Sequence, residues 1–100
     1  MAYILRVLKD GPVHGYEILD RLARDGLAWG SPGSVGGLYR QLRMMEQMGL
    51  VTSAWDVSGG GPAKRVYSIT PYGMEYLYGV VEEMKALRQE IDRFIDAFER

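Results

Sequence analysis

Two short clusters in this 100-residue sequence carry side chains suited to chemistry. The first is "SVGGLYRQLRMME", residues 34–46, with a hydroxyl at Ser34, then Gly36 and Gly37, then Tyr39, Arg40 and Arg43. A guanidinium is a planar fork that matches a guanine edge or a phosphate, and a phenol hydroxyl binds a phosphate oxygen. Glycine in a helix is unfavourable by about 1 kcal/mol relative to alanine, so a pair of them in a first turn needs a reason. Small residues there let backbone amides come close to an anion, and the helix dipole favours negative charge at that end. The second cluster is Lys64 and Arg65, just beyond Gly59, Gly60 and Gly61. Taken alone, the arginines of the first cluster could simply solvate an exposed helix face. With a basic, glycine-rich tip beside them they read as a surface for a polyanion.

Other chemistries find no support. His14 is the only histidine and there is no cysteine, which leaves no typical zinc site. No serine or carboxylate is placed by sequence to form a triad with His14, which reads as a hydrogen-bonding residue at the start of a helix. The glycines before Lys64 lack the Walker spacing of a phosphate-binding loop. The sequence therefore predicts neither an enzyme, nor a metal, nor a cofactor. Apolar runs are too short for a membrane span, and no basic-then-apolar leader opens the chain. A soluble, cytoplasmic protein is the expectation, in keeping with the missing cysteines.

The formal net charge of −1 argues at first against a nucleic-acid partner. Its distribution reverses that argument. Residues 1–73 hold eight Lys/Arg and six Asp/Glu, whereas residues 74–100 hold four and seven. The acidity sits in the C-terminal segment, so the first part is free to meet an anion.

Several elements must position these residues. "AYILRVLKDGP" reads as a short helix, residues 2–9, stopped by Asp10, Gly11 and Pro12. "VHGYEILDRLARDG" predicts a second helix with Tyr16, Ile18, Leu19 and Leu22 inward, ending at Gly26. "LAWGSPG" is a loop. A third helix is expected over residues 35–48, capped by Ser34 and stopped by Gly49. Its apolar stripe is Val35, Leu38, Leu42 and Met45, which leaves Gly36, Gly37, Tyr39, Arg40, Arg43, Met44 and Gln47 outward. "LVTSAWDV" and "KRVYSI" are β-type runs joined by the flexible "SGGGPA", a hairpin. Thr70 and Pro71 then open a last helix as cap and first-turn proline.

That last helix has its own period. Leu77, Val80, Met84, Leu87, Ile91, Phe94 and Phe98 alternate steps of three and four, the 3.5-residue repeat of a coiled coil. At 1.5 Å per residue the helix is roughly 40 Å long, more than a domain of about 70 residues can cover. A second copy of the same helix is the simplest partner, giving a homodimer. The alternative, a stripe packed only on its own domain, leaves the C-terminal half with nothing to lie on.

Helix, helix, helix, hairpin, helix is the order of a winged helix-turn-helix, in which the third helix enters the major groove of double-stranded DNA. The expected fold is mainly α with a small β-hairpin: a DNA-binding domain over residues 1–70 and a dimerisation helix over 71–100. In the blocks "GPVHGYEILDRL", "SVGGLYRQLRMMEQMGLV", "GGGPAKRVYSIT" and "PYGMEYL" the sequence also resembles the PadR family of bacterial transcriptional repressors. The resemblance covers nearly the whole chain, in its smaller subfamily with one long C-terminal helix. It implies a homodimeric repressor that binds a palindromic operator and is released by an effector, often a phenolic or drug-like aromatic. The family's "S-P-G-T-L-Y-P" falls on residues 34–40. Ser34, Gly36, Leu38 and Tyr39 match it; Val35, Gly37 and Arg40 replace proline, threonine and proline. The lost threonine hydroxyl removes one expected DNA contact and Arg40 adds a positive one, so the operator sequence does not carry over from relatives. Gly60, Gly61 and Pro62 match the family's wing, with Lys64 and Arg65 after them. Trp29, Tyr76, Tyr78 and Phe94 lie in a loop or on the dimer helix and are candidates for an aromatic effector site; core or seam packing is the other reading of these rings. A different class of function, a winged-helix adaptor that binds protein without specific DNA binding, is separated from this one by salt dependence.

Overall fold

The structure, a computed structural model, describes residues 1–24 and 34–100. The expected helix stop at Gly26, the loop over residues 27–33 and Trp29 lie outside the described residues. The elements are α1 (Ala2–Leu8), β1 (Val13–His14), α2 (Gly15–Arg24), α3 (Val35–Gln47), β2 (Val51–Asp56), β3 (Lys64–Ile69) and α4 (Pro71–Glu99). The mainly helical class, the hairpin and the long last helix are as the sequence predicts.

One core joins these elements. Ile4, Leu5 and Leu8 of α1 meet Ile18 and Leu22 of α2, Leu38, Leu42 and Met45 of α3, and Leu50, Val51, Tyr67 and Leu77. In α2 the buried row is Gly15, Ile18 and Leu22, at steps of three and four, with Leu19 partly buried beside it. Tyr16, expected in the core, stands off that row and is exposed. In α3 the inward row holds Gly37, Leu38, Leu42 and Met45. Two expectations change here. Gly37 points inward, because it lies two turns before Met45 on one i, i+4 row. Val35, the first helical residue, projects past the core and is 57% exposed.

The hairpin is a three-stranded antiparallel sheet in the order β1-β3-β2. Val13 pairs with Tyr67 and His14 with Val66, ahead of α2 rather than inside it. Pro12 and β-branched Val13 favour extended backbone at this point, and two residues are too few for alternation to reveal a strand. The β2–β3 register runs from Val51 opposite Ile69 to Asp56 opposite Lys64.

Thr70 locks the last helix to the rest. Its hydroxyl accepts from the Gly73 amide at 2.9 Å and donates to the Gly49 carbonyl at 2.6 Å. A Cβ on Gly73 would collide with the Leu50 carbonyl, so only glycine lets α4 approach so closely. From there α4 packs on α1 through Leu77 and then leaves the domain. The 63 Å long axis and 16.5 Å radius of gyration record that departure; a compact chain of this length has about 13 Å.

Candidate nucleic-acid interface

Ser34 caps α3 as expected: its backbone is extended and its hydroxyl accepts from the Gly37 amide at 3.0 Å. Gly36 is exposed at the start of the helix, next to Arg40, while the buried Gly37 gives its amide to the cap. Arg40 and Arg43 project into solvent, one turn apart on the outer face. Tyr39 is half-buried. Its ring and hydroxyl lie where a Cβ on Gly15 would be, 2.8 Å from the hydroxyl oxygen, so Gly15 lets the ring bridge the two helices. That gives Tyr39 a packing role beside any ligand contact.

The wing closes over the other side of this face. Between α3 and the sheet lies a cleft of about 500 Å³ whose walls include Tyr16, Tyr39, Trp55, Tyr67, Arg43 and Lys64. Lys64 Nζ sits 5.4 Å from the centre of the Tyr16 ring, and the Arg65 guanidinium 5.2 Å from that of Trp55, both cation–π distances. Trp55 is 62% exposed. Arg65 is further held: its Nε donates to Ser53 Oγ at 2.9 Å and Nη2 lies 3.7 Å from Glu46 Oε2. The Ser53 hydroxyl in turn donates to Glu46 Oε1 at 2.7 Å. Burial pushes the Tyr67 phenol above its usual pKa.

At the base of the wing tip, His14 Nε2 lies 3.0 Å from Asp56 Oδ2. A carboxylate only accepts, so this ring nitrogen carries the proton. Ser58 donates to Asp56 Oδ1 from its hydroxyl at 2.6 Å and from its amide at 2.9 Å. These bonds, the two from Ser58 first and then that from His14, hold the Asp56 carboxyl down to a pKa of about 2. His14 thus takes the hydrogen-bonding part that the sequence suggests, with a partner 42 residues away.

The structure brings Tyr39, Arg43, Lys64 and Arg65 together around one cleft, while Ser34, Gly36 and Arg40 lie at the start of α3. It does not gather Tyr76, Tyr78 and Phe94 within one chain. Tyr76 and Tyr78 are two residues apart on α4, which puts them on opposite faces. Phe94 is a further sixteen residues on, roughly 24 Å along the axis. The rings that do converge, Tyr16, Tyr39, Trp55 and Tyr67, are others, brought together by pairing of distant segments. On α4, Leu77 is buried in its own chain and Val80 partly so, while Met84, Leu87, Ile91, Phe94 and Phe98 are exposed. Ile95, which the strict repeat omits, is exposed on the same side between Ile91 and Phe98.

Three helices followed by a β-wing, with arginines along the third helix and cations in the wing, define a winged helix-turn-helix protein. Residues 4–79 match the transcriptional regulator PadR-like family, and the chain belongs to that family of regulators, with the long C-terminal helix of its smaller subfamily. A solved structure described as a conserved protein of unknown function and potential transcriptional factor is 30% identical, with a TM-score of 0.85. The match covers 99% of this chain and 86% of that one. A transcriptional regulator of Clostridium thermocellum is 25% identical, with a TM-score of 0.78 over 93% of this chain and 86% of its own. Bacillus subtilis PadR in complex with operator DNA shares the fold, at 23% identity and a TM-score of 0.70 over 80% of this chain and 45% of that one. A comparison with curated proteins finds no match. Among the described residues, no helix is long and apolar enough to cross a membrane, and no group of three or more His, Asp or Glu is placed to hold a metal ion.

Proposed function

We propose that this regulator binds double-stranded DNA as a homodimer and represses transcription from a palindromic operator. One observation carries the reading: Arg43, exposed one turn after the exposed Arg40 on α3, lines one cleft with Lys64 and Arg65 of the wing. Helix α3 then lies in the major groove with its Ser34–Arg40 end toward the bases, and Lys64 and Arg65 follow the phosphates. That Bacillus subtilis PadR, a protein of the same fold, is found in complex with operator DNA supports DNA as the partner. A regulator that acts on DNA in a cell without a nucleus works in the cytoplasm.

Residues 1–70 form the DNA-binding part and residues 71–100 the dimerisation helix in this proposal. Its support is the apolar row of α4, left exposed beyond Val80 among the described residues, and an apolar groove of about 550 Å³ between α1 and α4 that leads into it. A planar aromatic effector is the release signal, taken up where two copies of α4 meet. The exposed rings of Tyr76, Tyr78 and Phe94 favour that class of ligand. A ligand that prefers the DNA-incompetent arrangement by about 1.4 kcal/mol weakens operator binding tenfold.

Selection of bound duplexes from a random pool tests the whole reading. The expected product is a two-fold symmetric motif with half-sites about one DNA turn apart, roughly 34–36 Å. Absence of any enriched motif, with retention that does not weaken as salt rises, would instead point to a protein-binding adaptor. Titration of the DNA complex with planar aromatics, read by tryptophan fluorescence and operator release, tests the effector.

A further inference from the structure

We propose that Glu46 is a specificity-determining residue of the DNA-binding face, acting by neutralising and orienting Arg65 of the wing; this rests on the DNA-binding function proposed above. A carboxylate on a surface built for a polyanion needs an explanation, and helix stability does not provide one. Glu46 lies in the last turn of α3, the negative end of the helix dipole, where an acidic side chain is unfavourable. Its partners provide the explanation. Glu46 accepts from Ser53 of β2 and pairs with Arg65 of β3, while Ser53 accepts from Arg65 Nε. Three elements, the recognition helix and both wing strands, are tied by one carboxylate. Trp55 covers one face of the guanidinium, so the arginine has a fixed plane as well as a fixed partner.

The contrast with Lys64 gives the arrangement its consequence. Lys64 has an aromatic ring beneath it and, among the described residues, no carboxylate paired with it. Lys64 is a full cation on a flexible stem and accommodates any run of phosphates. Arg65 instead carries a paired charge, with Nε engaged by Ser53 and Nη2 beside Glu46. It meets a phosphate well when the protein is docked in the register of its operator, and poorly when it slides on unrelated DNA. Non-specific binding grows with the number of uncompensated cations that displace counterions. Holding one cation in check therefore lowers binding to unrelated sequence more than binding to the operator.

Salt titrations of the full-length protein test this on an operator duplex and on a scrambled one. Glu46→Gln keeps the size and the acceptor for Ser53 but removes the charge. Its expected effect is to raise affinity for scrambled DNA about tenfold at about 50 mM salt and to steepen the log–log salt slope by about 0.9 per subunit, with a smaller gain on the operator. Arg65→Ala is expected to make the slope shallower by about 0.9 per subunit in the Glu46→Gln background and by clearly less in the native one. Lys64→Ala, the comparison variant, gives its full effect in both. A Glu46→Gln protein with unchanged slope, or an Arg65→Ala effect equal in both backgrounds, would show that Glu46 only braces the wing and would overturn the proposal. Thermal melts establish that Glu46→Gln is folded; if it is not, an Arg65→Ala slope change as large as that of Lys64→Ala is the overturning result. Native protein that binds neither duplex at any salt removes the DNA reading, and this inference with it.

Discussion

Helix α3 and the outer part of α4 carry the same apolar spacing in opposite surroundings. Leu38, Leu42 and Met45 step by four and three and are fully buried. Leu87, Ile91 and Phe94 step by four and three and are not: Leu87 is 54% exposed and Phe94 75%. Periodicity tells which face of a helix is apolar, but only the rest of the chain tells what covers it. For α3 the cover is α1, α2 and the sheet. For α4, none of the described residues covers the row beyond Val80, and the proposed dimer would supply the missing cover.

The sharpest way to break the comparison is to charge the open row. Leu87→Asp combined with Ile91→Asp should bury like charges against one another in a dimer and abolish it. Light scattering is expected to report monomer or aggregate. A well-folded dimer carrying both aspartates would show that α4 assembles by another face or that some other element joins the copies.

Single truncations sharpen the same contrast. Leu42→Ala should lower stability by about 3–5 kcal/mol, as cavity-forming changes in a closed core do, and the loss should not depend on protein concentration. Leu87→Ala should instead act through assembly, so its drop in Tm shrinks as protein concentration rises. Equal, concentration-independent losses in both variants would mean that α4 is stabilised within its own chain.

On the proposed DNA face, Arg43→Ala is expected to weaken operator binding by about 1–3 kcal/mol and to flatten base preference at one position of each half-site. A uniform loss on operator and scrambled DNA would move Arg43 from base reading to phosphate contact.

The parts of this molecule visible in its sequence are those governed by short-range rules. The caps Ser34 and Thr70, the stop at Gly49, the stripe of α3 and the long repeat of α4 each depend on residues within one or two turns. The structure departs from the sequence pattern where one residue's direction matters: Tyr16 is just off the inward row of α2, Gly37 just on that of α3. The two-residue β1 is invisible because its pairing with β3 spans more than 50 residues. The Glu46–Ser53–Arg65 network and the His14–Asp56 bond join distant segments through side chains with no period at all. Strand pairing and helix packing also collect Tyr16, Tyr39, Trp55 and Tyr67 around the wing, a set that no period in the sequence marks.

The smallest expected effect concerns the wing tip, which the glycines suggest is loose. Asp56 ties it from one side, to Ser58 beyond it and to His14 of β1. The folded carboxyl has its pKa lowered to about 2, against an unfolded value of about 3.9. A depressed acid contributes stability that is complete above the unfolded value and is lost as pH falls through the folded one. The tip should therefore be indifferent to Asp56 protonation from neutral pH down to about 4, and loosen between about 4 and 2. The Ser58 amide reports this directly, because its N–H donates to Asp56 Oδ1. Its NMR shift is expected to titrate with a midpoint near 2 in the native chain, and to lose that step in Asp56→Asn. A midpoint at the ordinary carboxylate value would mean that the Ser58 and His14 bonds are not maintained in solution. The wing would then be fastened to the domain chiefly through Glu46 and Arg65, at the end facing α3.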